Sequence, residues 1–256
     1  MDHFAFIDGA LHAEDVPLAL IAEQVGTPVY VYSTATLTRH AEVFREGLAK
    51  AGRVHLAYAI KANPNLAVLR VLANAGYGAD VVSGGELARA LAAGIPARDI
   101  VFSGVGKTRV ELEQALGLGL GQFNLELEEE GQVLAAIAHA GGTTANATLR
   151  VNPDVDAGTH AKISTGKAEN KFGVAIHHAP AIFDRLAGLP GLNLRGVAIH
   201  IGSQLSDLAP LEAAYRRVGQ LVTELRAAGL TVVQDRCTLA DHRRFGLAAP
   251  KRTAAT

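Results

Sequence analysis

A single cysteine, Cys237, in a chain of 256 residues leaves no material for a disulfide framework and fits a reducing compartment. Charge of one sign is also missing. Lys and Arg number 24 against 25 Asp and Glu, a formal net charge of −1, and no basic block occurs. That balance argues against nucleic acid as a partner. No uncharged apolar run is long enough to span a bilayer, so no membrane partner is expected. The opening Met1-Asp2-His3-Phe4 lacks the charged and apolar regions of a signal peptide. A soluble cytoplasmic protein is the expectation. The ten histidines show no metal pattern such as H-E-x-x-H.

What is present is ample core material: 49% hydrophobic against 19% charged residues, enough for one large α/β domain or two smaller ones. From residue 54 onward, short β-rich runs alternate with helical runs. Strands are expected at 54–60, 78–83, 99–103, 122–126, 146–152, 194–201 and, weakly, 230–234, with helices at 65–75, 84–93, 108–117, 128–140, 178–187 and 208–228. Gly76, Gly94, Gly141 and Gly229 stand where helices should stop. Strands separated by such helices imply right-handed βαβ units and a parallel sheet. About seven units with no strong early glycine fingerprint favour a (β/α)8 TIM-type barrel, here incomplete, over a doubly wound sheet. Residues 1–35 differ: Pro28-Val29-Tyr30-Val31-Tyr32 reads as a strand of another sheet. After Val233 the pattern decays.

Candidate chemistry gathers at strand ends. Lys61 closes the apolar run His55 to Ile60, just before Ala62-Asn63-Pro64-Asn65. A lysine held where a strand becomes a loop can lose its proton, attack a carbonyl and form a Schiff base. The bland alternative is a snorkelling lysine that caps a strand. Asp80 is a carboxylate inside an apolar strand one unit later, and a buried carboxylate seeks a cation such as Lys61. Arg150, before Val151-Asn152-Pro153, sets a fixed cation at the same rim. His200-Ile201-Gly202-Ser203-Gln204 ends another strand. There the imidazole can stack on an aromatic ring, Gly202 lets backbone approach a ligand, and Ser203 can bond a phosphate oxygen. A histidine satisfied by backbone is the competing reading.

Ser103-Gly104-Val105-Gly106-Lys107-Thr108 sits between strand and helix as a phosphate loop would. The full pattern needs glycine where Val101 stands, so nucleotide hydrolysis is set aside. His177-His178 opens a helix and is expected to be solvated, and Cys237 lacks an activating neighbourhood.

Together the segments Tyr58 to Pro64, Gly78 to Leu87, Arg150 to Pro153, His160 to Gly166, Lys171-Phe172-Gly173 and His200 to Gln204 resemble the alanine-racemase-like (fold type III) pyridoxal-phosphate enzymes. The likeness spans about residues 25–230 and is nearest to the diaminopimelate decarboxylase branch. It implies pyridoxal 5'-phosphate as cofactor, with Lys61 holding it covalently and His200 stacked on its ring. Ser203 would sit at the phosphate, with Asp80 and Arg150 lining the pocket. The implied reaction is decarboxylation of meso-2,6-diaminopimelate to L-lysine and CO2. Implied alternatives are decarboxylation of another basic amino acid, of the ornithine or arginine type, or a non-catalytic cofactor-binding remnant. The implied substrate is a small amino acid, and family members form homodimers.

The resemblance further implies that residues 1–35 belong to a β-domain and residues 36–233 to the incomplete cofactor-binding barrel. The family's glycine-rich phosphate loop, its acid for the pyridine nitrogen and its C-terminal β-domain are not recognisable here. The 234–256 segment is therefore expected to be an aberrant, out-of-frame or truncated tail. Sequencing the locus checks this: a downstream frame encoding the glycine loop is expected, and an intact locus without one refutes it.

Overall fold

The computed structural model describes residues 2–51, 54–155, 172–202 and 207–232. Near the N-terminus, β1 (Phe4–Ile7), β2 (Ala10–Ala13) and β3 (Val16–Pro17) form a small antiparallel sheet, followed by α1 (Leu18–Val25). The expected strand at 28–32 is absent. Its alternation of β-branched and aromatic residues suits a half-buried strand, but no described strand pairs with it, and Val29, Tyr30 and Tyr32 are exposed. The small sheet is tied onward through Glu14, whose Oε1 accepts from Ser33 Oγ (2.7 Å) and the Ala35 amide (2.9 Å) at the start of α2 (Thr34–Gly47).

The larger unit follows as β4 (Ala57–Ala59), α3 (Leu66–Asn74), β5 (Gly78–Val81), α4 (Gly84–Ala92), β6 (Ile100–Phe102), α5 (Arg109–Gly117), β7 (Gln122–Leu125), α6 (Glu128–Ala140), β8 (Ala145–Asn152), β9 (Val174–Ala175), α7 (Ala179–Ala187), β10 (Leu192–Ala198) and α8 (Ala209–Ala227). Helix starts are chemically marked. The Ala67 amide donates to Asn65 Oδ1 at 2.8 Å, and Thr108 with Glu111 makes a capping box.

The parallel strands lie in the order β4-β5-β6-β7-β8-β10, each beside its predecessor, while β9 pairs with the end of β8. A doubly wound sheet would reverse direction at a switch point. Monotonic winding is that of a (β/α) barrel, here incomplete, with six strand–helix units among the described residues. Residues 230–232 carry no strand, and the rest of that expected element lies outside the described residues. Among the described residues no helix is long and apolar enough to cross a membrane.

Alternation along the strands separates two faces. Ala79, Val81, Ile100, Phe102, Phe123, Leu125, Ala147 and Leu149 share one apolar cluster with helix residues such as Leu72, Leu87, Leu112, Leu134 and Phe183. Each fully buried Leu or Phe contributes roughly 1.5–3 kcal/mol, so this outer layer anchors the sheet. The opposite face carries buried Asp80, Gln122, Asn124 and Thr148.

One glycine fixes the β5 start. A Cβ on Gly78 would fall 2.0 Å from the Asp99 carbonyl oxygen and 2.7 Å from His55 Nε2, which itself contacts that carbonyl. Backbone cannot yield as a side chain can. Gly78→Ala is expected to cost about 3 kcal/mol or more, read as a lowered urea midpoint; an unchanged midpoint would contradict this packing.

Candidate active site

Lys61 stands beyond the C-terminal end of β4, in a single 3-10 turn (Ile60–Ala62). Ile60 is fully buried, whereas Lys61 is exposed at the rim. The β4–β5 ladder, which sets Ala59 opposite Asp80, stops before Lys61. The chain then turns toward Asn63-Pro64-Asn65, where Asn63 Oδ1 accepts from the Asn65 amide at 3.0 Å.

Asp80 is 4% exposed. Burial pushes its carboxyl up to about 6, against opposing pulls from the Ser103 hydrogen bond and from the Lys61 and Arg150 charges. Lys61, Asp80 and Arg150 thus belong to one electrostatic cluster, as the sequence suggested.

A polar ladder crosses the sheet from Asp80. Ser103 Oγ donates to Asp80 Oδ1 (2.5 Å), and Asn124 Nδ2 donates to Ser103 Oγ (2.9 Å). Thr148 Oγ1 and Gln122 Nε2 both donate to Asn124 Oδ1, at 2.6 and 2.8 Å. The ladder links β5, the turn after β6, β7 and β8, so each interior dipole has a partner.

One layer nearer the rim, Arg150 donates to Glu126 Oε1 at 2.7 Å, with side chains 15% and 4% exposed. The guanidinium lies 5.6 Å from the centroid of the Phe172 ring. Gly173, at φ +76°, passes so close that a Cβ there would sit 2.9 Å from the Arg150 carbonyl oxygen. Glu126 Oε2 is buried without a hydrogen-bond partner among the described residues.

Lys107, from the phosphate-loop-like segment, is the lysine that is buried. Its side chain is 0% exposed, and its ammonium donates to the Gly104 carbonyl (2.7 Å), the Asn124 carbonyl (2.8 Å) and Glu130 Oε1 (2.6 Å). Three donors meet three acceptors, which makes it a clamp between the β6 and β7 ends. Breaking such a pair costs about 3–5 kcal/mol.

His200 lies two residues past Ala198, the partner of Arg150 in the β8–β10 ladder, and is half-buried. Gly202 adopts φ +137°, a conformation that suits glycine. Ser203, like His160 to Gly166 and Lys171, lies outside the described residues. His177 and His178 are exposed, as expected, with ring centroids 4.1 Å apart. Sequence reasoning missed Glu126, Ser103 and Asn124; the alternation Asn124-Leu125-Glu126 at a strand end was the available signal.

The Asp80 carboxyl ordinarily titrates near 3.8 and is raised in the fold. The folded chain therefore binds the extra proton between about pH 4 and 6, and stability present at low pH is lost as pH rises through 6. In the cofactor-free chain, Asp80→Asn is expected to raise the unfolding free energy by on the order of 2–3 kcal/mol at pH 7 and by little at pH 4. Urea titrations at both pH values check this, and an equal difference at the two would contradict it.

Comparison with known proteins places this rim in context. Residues 34–234 match the family described as pyridoxal-dependent decarboxylase, pyridoxal binding domain. The chain is 51% identical over 228 residues to diaminopimelate decarboxylase of Zymomonas mobilis, covering 88% of this chain and 54% of that protein. Identity is also 51% over 232 residues to the enzyme of Pseudomonas fluorescens, covering 90% and 55%. The structure of Helicobacter pylori diaminopimelate decarboxylase complexed with L-lysine superposes with a TM-score of 0.81 at 40% identity, over 84% of this chain and 54% of that one. The chain spans about half the length of the curated relatives it matches. On the extent of that match and the shared barrel, the chain belongs to the pyridoxal-dependent decarboxylase family, through its pyridoxal-binding domain.

Proposed function

We propose that this chain is the cofactor-binding barrel of a decarboxylase that converts meso-2,6-diaminopimelate to L-lysine and CO2. The observation that carries the reading is Lys61: an exposed primary amine at the barrel rim, within electrostatic reach of buried Asp80, in a chain about half identical to diaminopimelate decarboxylases. The donor set fits pyridoxal 5'-phosphate. An amine suits the aldehyde, a guanidinium and a buried carboxylate oxygen suit polar ring substituents, and an imidazole suits the flat ring. Bound there, the cofactor supplies an electron sink for the pair released when carboxylate leaves as CO2.

In this reading Lys61 would hold the cofactor through its amine and would hold a proton at Nζ when that amine is free. Asp80 sets the charge felt by that nitrogen. Its carboxyl is anionic above about pH 6 and neutral below. Arg150, braced by Glu126, offers a fixed cation facing the pocket. His200 would cover the ring, and Ser203 would meet the phosphate. Residues 1–35 contribute to a second, β-rich domain, and the protein works as a homodimer in the cytoplasm.

Purified chain mixed with pyridoxal 5'-phosphate is expected to develop the absorbance of a lysine-linked cofactor, and Lys61→Ala is expected to abolish it. Borohydride trapping followed by peptide mass spectrometry should find the label on Lys61. A label elsewhere, or none, overturns the cofactor reading. Release of L-lysine from meso-diaminopimelate tests the substrate. Faster turnover of ornithine or arginine would overturn that choice alone, and cofactor linkage without any turnover would favour a non-catalytic binding remnant.

A further inference from the structure

We propose that Glu126 is a positioning residue of the cofactor site, aiming the Arg150 guanidinium at the pocket through their 2.7 Å ion pair. This inference rests on the cofactor reading above and deepens it.

The stability argument for the pair is weak. A buried ion pair is about neutral against apolar residues of similar volume. A buried carboxylate oxygen left without a donor costs on the order of 1–3 kcal/mol, and Glu126 Oε2 is such an atom among the described residues. What the arrangement does provide is orientation. Arg150 is gripped by Glu126 Oε1, by the Phe172 ring and by the backbone at Gly173, whose positive φ and missing Cβ permit the contact.

Glu126 is itself anchored. Its amide donates to Glu130 Oε2 at 2.7 Å, while Glu130 Oε1 accepts from Lys107. The order Lys107, Glu130, Glu126, Arg150 runs from the buried clamp to the rim. The segment that mimics a phosphate loop therefore serves the site indirectly, as the fixed end of this brace. A guanidinium so held keeps its fork geometry without having to be ordered on binding, which is where Arg differs from a mobile lysine.

The test is a spectrophotometric titration with pyridoxal 5'-phosphate of the wild-type chain, Glu126→Gln, Arg150→Gln and the double variant, with thermal unfolding of each cofactor-free protein alongside. Glu126→Gln is expected to weaken cofactor affinity about tenfold, and the double variant to bind no more weakly than Arg150→Gln, the non-additivity of two residues acting as one. A merely structural role would move only the unfolding temperature. Wild-type affinity in a folded Glu126→Gln protein overturns the proposal, as does a double variant whose loss is the product of the two single losses.

If Glu126→Gln does not fold, the comparison of Arg150→Gln with the double variant decides. Equal affinities support the proposal, and a further loss in the double overturns it. Absence of a Lys61-linked cofactor in the wild-type chain is a different result: it overturns the cofactor reading and this inference with it.

Discussion

A carboxylate enclosed in the interior of a parallel barrel has to be met by donors, and the hydrogen bond from Ser103 to Asp80 is the point from which the interior of this fold is organised. Ser103 in turn accepts from Asn124, and Asn124 is held by Thr148 and Gln122. From Asp80 through Ser103 and Asn124 to Thr148 the ladder passes from one strand to the next, with Gln122 joining it along β7, so it checks the register of the sheet from inside while the apolar cluster fixes it from outside. A slip of one residue would turn the whole polar set into the helix layer. Even with the bond to Ser103, burial leaves Asp80 holding its proton up to about pH 6. The interior is thus satisfied in number but strained in charge, a combination that functional sites tolerate and cores seldom do.

Two lysines of this fold stand in opposite surroundings. Lys107 is enclosed, and each of its three N–H groups has an acceptor, so nothing remains for chemistry. Lys61 stands exposed within the turn that ends its strand, with a buried carboxylate one strand away. Burial by itself therefore does not say which lysine is open to chemistry. What separates them is whether the donors are already spent.

Much of the scaffold was legible in the sequence because its signals are local. Helix limits follow from capping side chains and glycine stops: the 84–93 and 108–117 expectations match Gly84–Ala92 and Arg109–Gly117. Strand centres followed from short apolar runs, although the ladders proved shorter than the runs, since a pairing ends where its partner turns away. The 28–32 pattern shows the limit of this reasoning. Alternation specifies a surface that fits a sheet, and cannot supply the neighbouring strand. Asp80, Arg150 and Lys61 were visible as charges in the wrong surroundings. Glu126 was hidden by its own neighbours, since Glu126-Leu127-Glu128-Glu129-Glu130 reads as the acidic first turn of a helix. Only the fold, by bringing Arg150 within 2.7 Å, sets that carboxylate apart from the three beside it.

The layering of the interior has a consequence for how binding and folding are linked. The deeper layer, from Asp80 to Thr148, is closed by its own hydrogen bonds, whereas the layer above it keeps the exposed amine of Lys61 and an oxygen of Glu126 that is unmatched among the described residues. A ligand that meets these groups gains interactions the polypeptide has left unmade, and it can do so only when the strands carrying Lys61, Glu126 and Arg150 are assembled. Such a ligand binds the folded chain and not the unfolded one, so its binding free energy adds to the stability of the barrel. The stability forgone at the rim in the absence of a ligand and the affinity gained in its presence are therefore two views of the same unmet polar groups, which is how a fold of marginal stability can maintain a reactive site.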